Sequence, residues 1–178
     1  MAMVFIFSLS AFGFAASGTP TKYIVSLQSV KVYNGTSYIS VGGTSSTVDI
    51  AAASGSLAYA GNFLSNLNIP DGTYTKVKVQ PATTFTITGQ TAADNRTNGS
   101  LNGSDICATK TSGDPAACTL TVDSSYVPVK EYALSPAVIV TNGIANHMVR
   151  VYFDVSNAIS DEGEGIHPVQ PACTVSVI

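Results

Sequence analysis

The chain has 178 residues, 45% of them hydrophobic, which is enough for one domain with a core of ordinary size. Only 11% are charged, and eight lysines and arginines against eleven aspartates and glutamates give a net charge of −3. This balance excludes a nucleic-acid binder that works by neutralising phosphates. The abundance of β-branched and aromatic residues excludes a disordered chain, and no long apolar window in the body predicts an internal membrane span.

Residues 1–17, MAMVFIFSLSAFGFAAS, are apolar and end in small residues, which allows two interpretations. The first is a secretory signal peptide, cleaved near Ala15 or Ser17, whose basic start lies upstream of Met1. The second is a retained segment, too short to cross a membrane easily, that inserts into a neighbouring subunit. Its candidate assembly residues are Val4, Phe5, Ile6, Phe7, Leu9, Phe12 and Phe14.

Residues 18–178 are expected to form one β domain. Apolar residues alternate from Tyr23 to Val32 with a change of parity near Gln28, which predicts a bent strand. Asn34-Gly35 predicts a hairpin turn, with a returning strand at 38–41 and a short strand at 48–50.

Residues 51–67 are the one segment with helical spacing, carried by Leu57, Ala60, either Phe63 or Leu64, and Leu67. The turn Pro70-Asp71-Gly72 follows, and then two alternating segments predict strands at 75–80 and 84–88.

Residues 89–118 are rich in Thr, Asn, Gly and Ser and show little apolar periodicity, which predicts a long exposed insertion loop. Further strands are expected near 119–122, 126–129, 137–140 and 173–178, with a turn at Asn142-Gly143. The clearest strand is 148–155, in which Val149, Val151 and their alternate neighbours share one face. These features predict an all-β antiparallel sandwich, prealbumin- or immunoglobulin-like, or a barrel, with one short helix.

Three stretches of the chain carry a family resemblance: 23–33 leading to 47–50, 67–79 with its PDGTY turn, and 149–156 before HPVQP at 167–171. Together they resemble a family of secreted prokaryotic domains of unknown function, which are lipoprotein-like or cell-surface β-sandwiches of prealbumin type. The resemblance covers about residues 22–178, with the cysteine-bearing loop as an insertion. It implies a sandwich fold and an exported location, and it carries no catalytic residues. The chain lacks a lipobox cysteine near residue 17, so a lipid anchor is not implied.

The three cysteines do not match the spacing of a zinc or haem site. In an exported protein a disulfide is expected, and proximity favours Cys107–Cys118, which would close the insertion loop. Pairing of Cys173 with either of the others remains an alternative, because spacing does not fix connectivity.

Neither histidine predicts catalysis, since His147 and His167 lack a neighbouring nucleophile or carboxylate pattern. The acidic run at 154–165, DVSNAISDEGEG, does not match an EF-hand loop and is expected to be a solvated loop, with a weak Ca²⁺ site as the alternative. We therefore expect no enzymatic activity, cofactor or metal. Four sequons make candidate glycosylation sites of Asn34, Asn95, Asn98 and Asn102.

The sequence thus favours an exported, extracellular or cell-surface structural protein that acts in adhesion or as a pilus-like filament subunit. Its expected partners are further copies of itself or cell-surface components, and not nucleic acid. An apolar segment that completes a neighbour's sheet would satisfy edge hydrogen bonds and bury its side chains. The alternative is a soluble extracellular module that binds polysaccharide or another ligand, although the absence of Trp disfavours sugar stacking.

Overall fold

A computed structural model describes residues 15–53 and 64–178, and these residues form an all-β structure of antiparallel sheets, as the sequence predicts. The first nine strands are β1 (Ala16–Gly18), β2 (Pro20–Val25), β3 (Leu27–Tyr33), β4 (Tyr38–Ser40), β5 (Gly42–Ser45), β6 (Val48–Asp49), β7 (Leu64–Asn68), β8 (Gly72–Pro81) and β9 (Thr84–Gly89). The following nine are β10 (Arg96–Leu101), β11 (Cys107–Lys110), β12 (Cys118–Thr121), β13 (Lys130–Thr141), β14 (Ile144–Ala145), β15 (Val149–Asp154), β16 (Ile159–Asp161), β17 (Ile166–Pro168) and β18 (Ala172–Val177). Two 3₁₀ turns cover Ile50–Ala53 and Ser124–Tyr126.

Layer one of the sandwich consists of two sheets placed end to end. The lower sheet has the order β12-β9-β2-β6, and the upper sheet has the order β14-β13-β8-β3-β4. They are continuous because only Ser26 separates β2 from β3, and two residues separate β8 from β9. The amide of Ala82, between β8 and β9, donates to the carbonyl of Ser26, between β2 and β3, at 2.9 Å. This hydrogen bond connects the two adjacent chain segments where they pass from one sheet to the other. The bend between β2 and β3 is the one that the change of parity near Gln28 predicts.

Layer two is divided in the same way, but its halves are unequal. The lower sheet has five strands, in the order β1-β16-β17-β11-β10, whereas the upper sheet has only two, β15 and β18. β15 leads into β16 and β17 leads into β18, so β18 lies above β17 and β15 lies above β16. The small pair β5–β7 follows β4, at the edge of layer one farthest from β13.

The sandwich therefore holds two cores. The lower core, between the two lower sheets, consists mainly of fully buried side chains, namely Tyr23, Val25, Val48, Ile50, Ala51, Phe85, Ile87, Cys107, Cys118, Leu120, Val127, Val155, Ala158, Ile159 and Ile166. The upper core buries Val32, Tyr74, Val77, Leu134, Val138 and Val140, and around them lie the half-buried Val30, Ile39, Val41, Ile69, Val79, Tyr132, Val175 and Val177. The upper core is less completely covered because layer two supplies fewer strands there.

The turns follow from backbone conformation. Asn142 and Gly143 both have positive φ, 53° and 75°, and form the two-residue loop between β13 and β14, as expected for a type I′ turn. Asn34 and Gly35 also begin a hairpin turn, but Tyr33 pairs with Tyr38, so this loop has four residues instead of two.

The helix predicted at 51–67 is wrong where the structure describes it. Its start is the 3₁₀ turn Ile50–Ala53, its end is strand β7, and residues 54–63 lie outside the described residues. β7 pairs with β5, with Thr44 opposite Ser65. Helical spacing over a short apolar run does not distinguish a helix from a strand, and sheet pairing decides here.

The insertion predicted as an exposed loop at 89–118 is largely a hairpin built into layer two. It contains β10 and β11, and β11 pairs with β17. Thr97 is fully buried, and its hydroxyl oxygen accepts a hydrogen bond from the Gly89 amide at 3.2 Å. Buried threonines whose hydroxyls are hydrogen-bonded replace the apolar alternation that the sequence lacks.

Candidate functional site

The lower half of the sandwich is closed along one side by a disulfide. Cys107 on β11 and Cys118 on β12 are bonded, with their Cα atoms 6.0 Å apart, and both are buried. The bond joins the edge strand of layer one to layer two. This confirms the predicted Cys107–Cys118 pair and leaves Cys173 as a free, half-buried thiol. A disulfide of this kind is typical of proteins in oxidising compartments.

On the same side of the upper half, β13 and β18 lie close together, but no disulfide or sheet pairing joins them. Beside β17, the lower sheet of layer two continues with β11 and β10, but among the described residues no strand pairs with that side of β18. Across from it, β13 pairs with β8 on one side and with β14 only through Val140 and Thr141 on the other. Two unpaired strand edges, one from each layer, therefore lie on the same side of the molecule.

The register of β18 shows which backbone groups it leaves unpaired. Met148 and Ile178 exchange both backbone hydrogen bonds, at 2.8 and 2.9 Å. Because such pairs alternate along an antiparallel ladder, the N–H and C=O groups of Cys173, Val175 and Val177 point away from β15. The side chains of Val175 and Val177 pack against the upper core. The edge thus combines unpaired backbone groups with an apolar inner face.

A cleft of about 300 Å³ opens between the two edges and is lined by Lys130, Tyr132 and residues 170–173. Tyr132 and Cys173 both line it, and burial raises the pKa of both groups. We call this space, between the start of β18 and Lys130 and Tyr132 of β13, the Tyr132 cleft.

A second cluster lies on the outer face of the upper sheet of layer one. The Glu131 carboxylate accepts hydrogen bonds from the Tyr38 hydroxyl and from Lys76 Nζ at 2.9 Å, and Lys78 Nζ is 3.4 Å away. Lys78 Nζ lies 3.8 Å from the centre of the Tyr38 ring, and the Tyr33 and Tyr38 rings are 5.1 Å apart. The hydrogen bonds from Tyr38 and Lys76 lower the pKa of Glu131 to about 2.

The four sequon asparagines differ in what their side chains do. The Asn95 side-chain amide donates to the buried Asp161 carboxylate, and that of Asn102 donates to the Glu164 carbonyl at 2.9 Å. In Asn34 and Asn98 the side-chain oxygen accepts backbone hydrogen bonds within the turn. Of the four, Asn95 is the least suited to carry a glycan, because its amide nitrogen is held inside the fold.

The remaining candidates are dispersed. His147 lies between β14 and β15, and His167 lies on β17 opposite Ser160. In the acidic run, the carboxylates of Asp154 and Asp161 accept backbone hydrogen bonds from the residues two positions on. Over 15–53 and 64–178 the structure brings together no group of three or more His, Cys, Asp or Glu side chains that could hold a metal ion.

Neither of the two clusters is predicted by the sequence motifs. Tyr132 and Glu131 belong to no recognisable pattern, although the alternation TKVKV at 75–79 places Lys76 and Lys78 on one face. The candidate assembly residues between Val4 and Phe14 lie outside the described residues.

No helix among the described residues is long and apolar enough to span a membrane. Comparison of the chain with protein-family models, with curated proteins and with solved structures finds no match.

Proposed function

We propose that this chain is an exported cell-surface structural protein whose copies assemble by strand complementation into an extracellular filament or adhesive layer. The observation that carries the proposal is the free edge of β18, which presents unpaired backbone groups above a half-covered core. Exposed edges of this kind pair readily with a strand from another chain. The resemblance of the chain to a family of exported cell-surface β-sandwiches supports the same proposal.

The energetics favour a long-lived assembly. A strand added beside β18 would meet the N–H and C=O groups of Cys173, Val175 and Val177 and cover the half-buried side chains of the upper core. Each Val, Leu or Phe that becomes fully buried contributes about 1.5–3 kcal/mol. Burial of three or four such residues, together with the new backbone hydrogen bonds, offsets the cost of ordering a short segment. The Cys107–Cys118 bond supports an oxidising location, in which such an assembly would persist.

The test is the state of the protein recovered from its own cells. We expect filaments or sheets in negative-stain electron micrographs of the surface fraction, and a sedimenting species that resists dilution. Intact mass of the same material, reduced and unreduced, gives the mature N-terminus, the disulfide and any glycan. A protein that is monomeric at all concentrations and begins near Gly18 contradicts the proposal.

The second candidate is a soluble extracellular module that binds polysaccharide, and the Tyr33–Tyr38 pair with its lysines favours it. Tyrosine rings can stack on sugars, and lysines attract acidic glycans. Binding of an acidic polysaccharide to the monomer, lost in Lys76→Ala and Lys78→Ala, supports this function. Binding that is unchanged in both variants contradicts it.

A further inference from the structure

The upper sheet of layer one gathers positive charge, although the chain as a whole has more acidic than basic residues. Its five strands contain four lysines and a single carboxylate, that of Glu131. Lys130 lines the cleft beside β18. The other three, Lys31, Lys76 and Lys78, alternate along their strands with side chains of the upper core, so they lie on the outer face. Three lysines against one carboxylate leave this face with an excess of positive charge.

The register of the sheet places two of these lysines side by side. Lys31 on β3 lies opposite Lys78 on β8, and Lys78 in turn lies opposite Glu131 on β13. Like charges directly opposite each other destabilise a sheet. Glu131 forms ion pairs with Lys76 and Lys78, whereas no carboxylate of a described residue lies within ion-pair distance of Lys31. An anion bound above this row would relieve the repulsion between the lysines.

Tyrosine rings lie on the same face. Tyr38 belongs to β4, and two strands separate β4 from β13, yet the Tyr38 hydroxyl donates to Glu131. Its side chain therefore extends along the face across β3 and β8, and Lys78 Nζ lies 3.8 Å from the centre of its ring. The Tyr33 ring is 5.1 Å away, and both tyrosines are half-buried. The face thus combines aromatic surface, which can stack on sugar rings, with ammonium groups.

The spacing of the lysines indicates what kind of anion fits. The Cα atoms of Lys31 and Lys78 are about 5 Å apart across neighbouring strands, and those of Lys76 and Lys78 are about 7 Å apart along one strand. A ligand that uses all three lysines needs several anionic groups at similarly close spacing. To use the tyrosines as well, it needs rings with an apolar face. A polysaccharide with a carboxylate on successive sugars has both properties, whereas an acidic polypeptide has only the first.

We propose that this outer face binds an acidic polysaccharide with carboxylates on successive sugars. The residues of the site are Lys31, Tyr33, Tyr38, Lys76, Lys78 and Glu131. The lysines bind the carboxylates and the tyrosine rings contact the sugars, while the charge of Glu131 competes with the ligand for two of the lysines. The inference rests on the second candidate function, because it identifies the site and the ligand of that module. It is independent of filament assembly, since the free edge of β18 belongs to layer two.

Three probes test the ligand class with the full chain in isothermal titration calorimetry. Polygalacturonate has a carboxylate on each sugar, its methyl ester has the same sugars without the charge, and polyglutamate has the charge without sugar rings. We expect polygalacturonate to bind at least about 10-fold more tightly than either of the others, and the binding to weaken with salt. Equal binding of the ester or of polyglutamate overturns the inference. If none of the three binds, the inference and the second candidate function both fail, and the filament proposal is unaffected.

Substitution of Lys31 tests the position of the site. Lys31→Gln should weaken polygalacturonate binding about 10-fold, because it removes a charged donor that has no partner within the described structure. Lys110→Gln is the matched control, since Lys110 lies on β11 in layer two, and it should change the affinity less than about twofold. Tight binding that is unchanged in Lys31→Gln, or weakened equally in both variants, overturns the inference and leaves the second candidate function.

Substitution of Glu131 tests the competition within the site. Glu131→Gln retains an oxygen that can accept from Tyr38 but removes the negative charge beside Lys76 and Lys78. We expect it to bind polygalacturonate about threefold to tenfold more tightly, whereas Glu164→Gln, which has the same change in net charge, should bind like wild type. An unchanged or weaker affinity of Glu131→Gln overturns the inference. An intact Cys107–Cys118 disulfide and a β-rich circular-dichroism spectrum are the folding control for every variant.

Discussion

The side-chain amide of Asn95 donates a hydrogen bond to the buried carboxylate of Asp161, and so attaches the turn before β10 to strand β16. The other carboxylate oxygen accepts from the Gly163 amide at 2.8 Å. Asp161 is only 7% exposed, so both of its oxygens depend on donors from the protein. Asn95 is therefore a structural residue, although its sequon makes it a candidate for glycosylation.

Replacing Asn95 with Ala should lower the free energy of unfolding by about 1–3 kcal/mol, because it leaves a buried carboxylate oxygen without its donor. Asn102→Ala is the matched control, since Asn102 also lies in a sequon of this segment but is exposed. We expect a loss below about 1 kcal/mol there. Urea unfolding of the two variants at neutral pH measures both values, and a loss at Asn102 that equals the loss at Asn95 would contradict this role.

Opening the Cys107–Cys118 disulfide should destabilise the domain by about 2–3 kcal/mol, because the bond closes a short loop and joins the two layers. Urea unfolding of the oxidised and the reduced wild-type protein gives this value, and the double replacement by Ala should unfold near the reduced form. Cys173→Ala is the control and should not change the effect of reductant. An unfolding midpoint that is insensitive to reductant would show that the bond contributes nothing to the fold.

The all-β class and most strands of layer one follow from the sequence because each of these strands has one buried face, which imposes alternation. β9 shows this directly: Phe85 and Ile87 are buried, and the threonines that alternate with them are not. In β10 and β11 the alternation is absent, because Thr97 and a disulfide cysteine occupy the buried positions. Such strands look like loops to any rule based on hydrophobicity.

The Tyr132 cleft could not be derived from the sequence, because it depends on which strands lie side by side in the fold. The alternation at Val175 and Val177 predicts a strand there, but it gives no information about which strands lie beside it. Long-range contacts present the same problem. Asp71 lies in a predicted turn and Gly143 in another, yet only the fold shows that the Asp71 carboxylate accepts hydrogen bonds from Asn142 and Gly143.

The Glu131 cluster should make stability depend on pH in the acidic range. Hydrogen bonds from Tyr38 and Lys76 lower the pKa of Glu131 from 4.5 to about 2 in the folded protein. A carboxyl whose folded pKa is depressed stabilises the protein fully above its unfolded pKa, and this contribution is lost as the pH falls from about 4.5 to about 2. Since Glu131 lies at the surface, salt will weaken the effect.

The variant Glu131→Gln isolates that contribution. We expect wild type to have the higher urea midpoint at pH 6, and the difference between the two proteins to shrink steadily below about pH 4.5. Glu164→Gln, at an exposed position in the acidic run, is the control for a general charge effect. A midpoint difference that stays constant down to pH 2 would mean that the cluster does not hold Glu131 ionised in the folded protein.

Gly165 is expected to be the glycine of the acidic run that tolerates substitution least. Its φ is +142°, and a Cβ there would lie 2.5 Å from Ile106 Cγ2 and 2.6 Å from the Cys107 carbonyl oxygen. Gly165→Ala should therefore cost about 3 kcal/mol of unfolding free energy, from overpacking and backbone strain together. Gly163→Ala is the matched control, because Gly163 has φ +96° but a Cβ at that position would meet no atom within 4 Å. There only backbone strain acts, and the expected cost is about 1 kcal/mol. Thermal and urea unfolding of both variants test the difference, and equal losses would show that strain alone, and not the contact with β11, requires glycine at position 165.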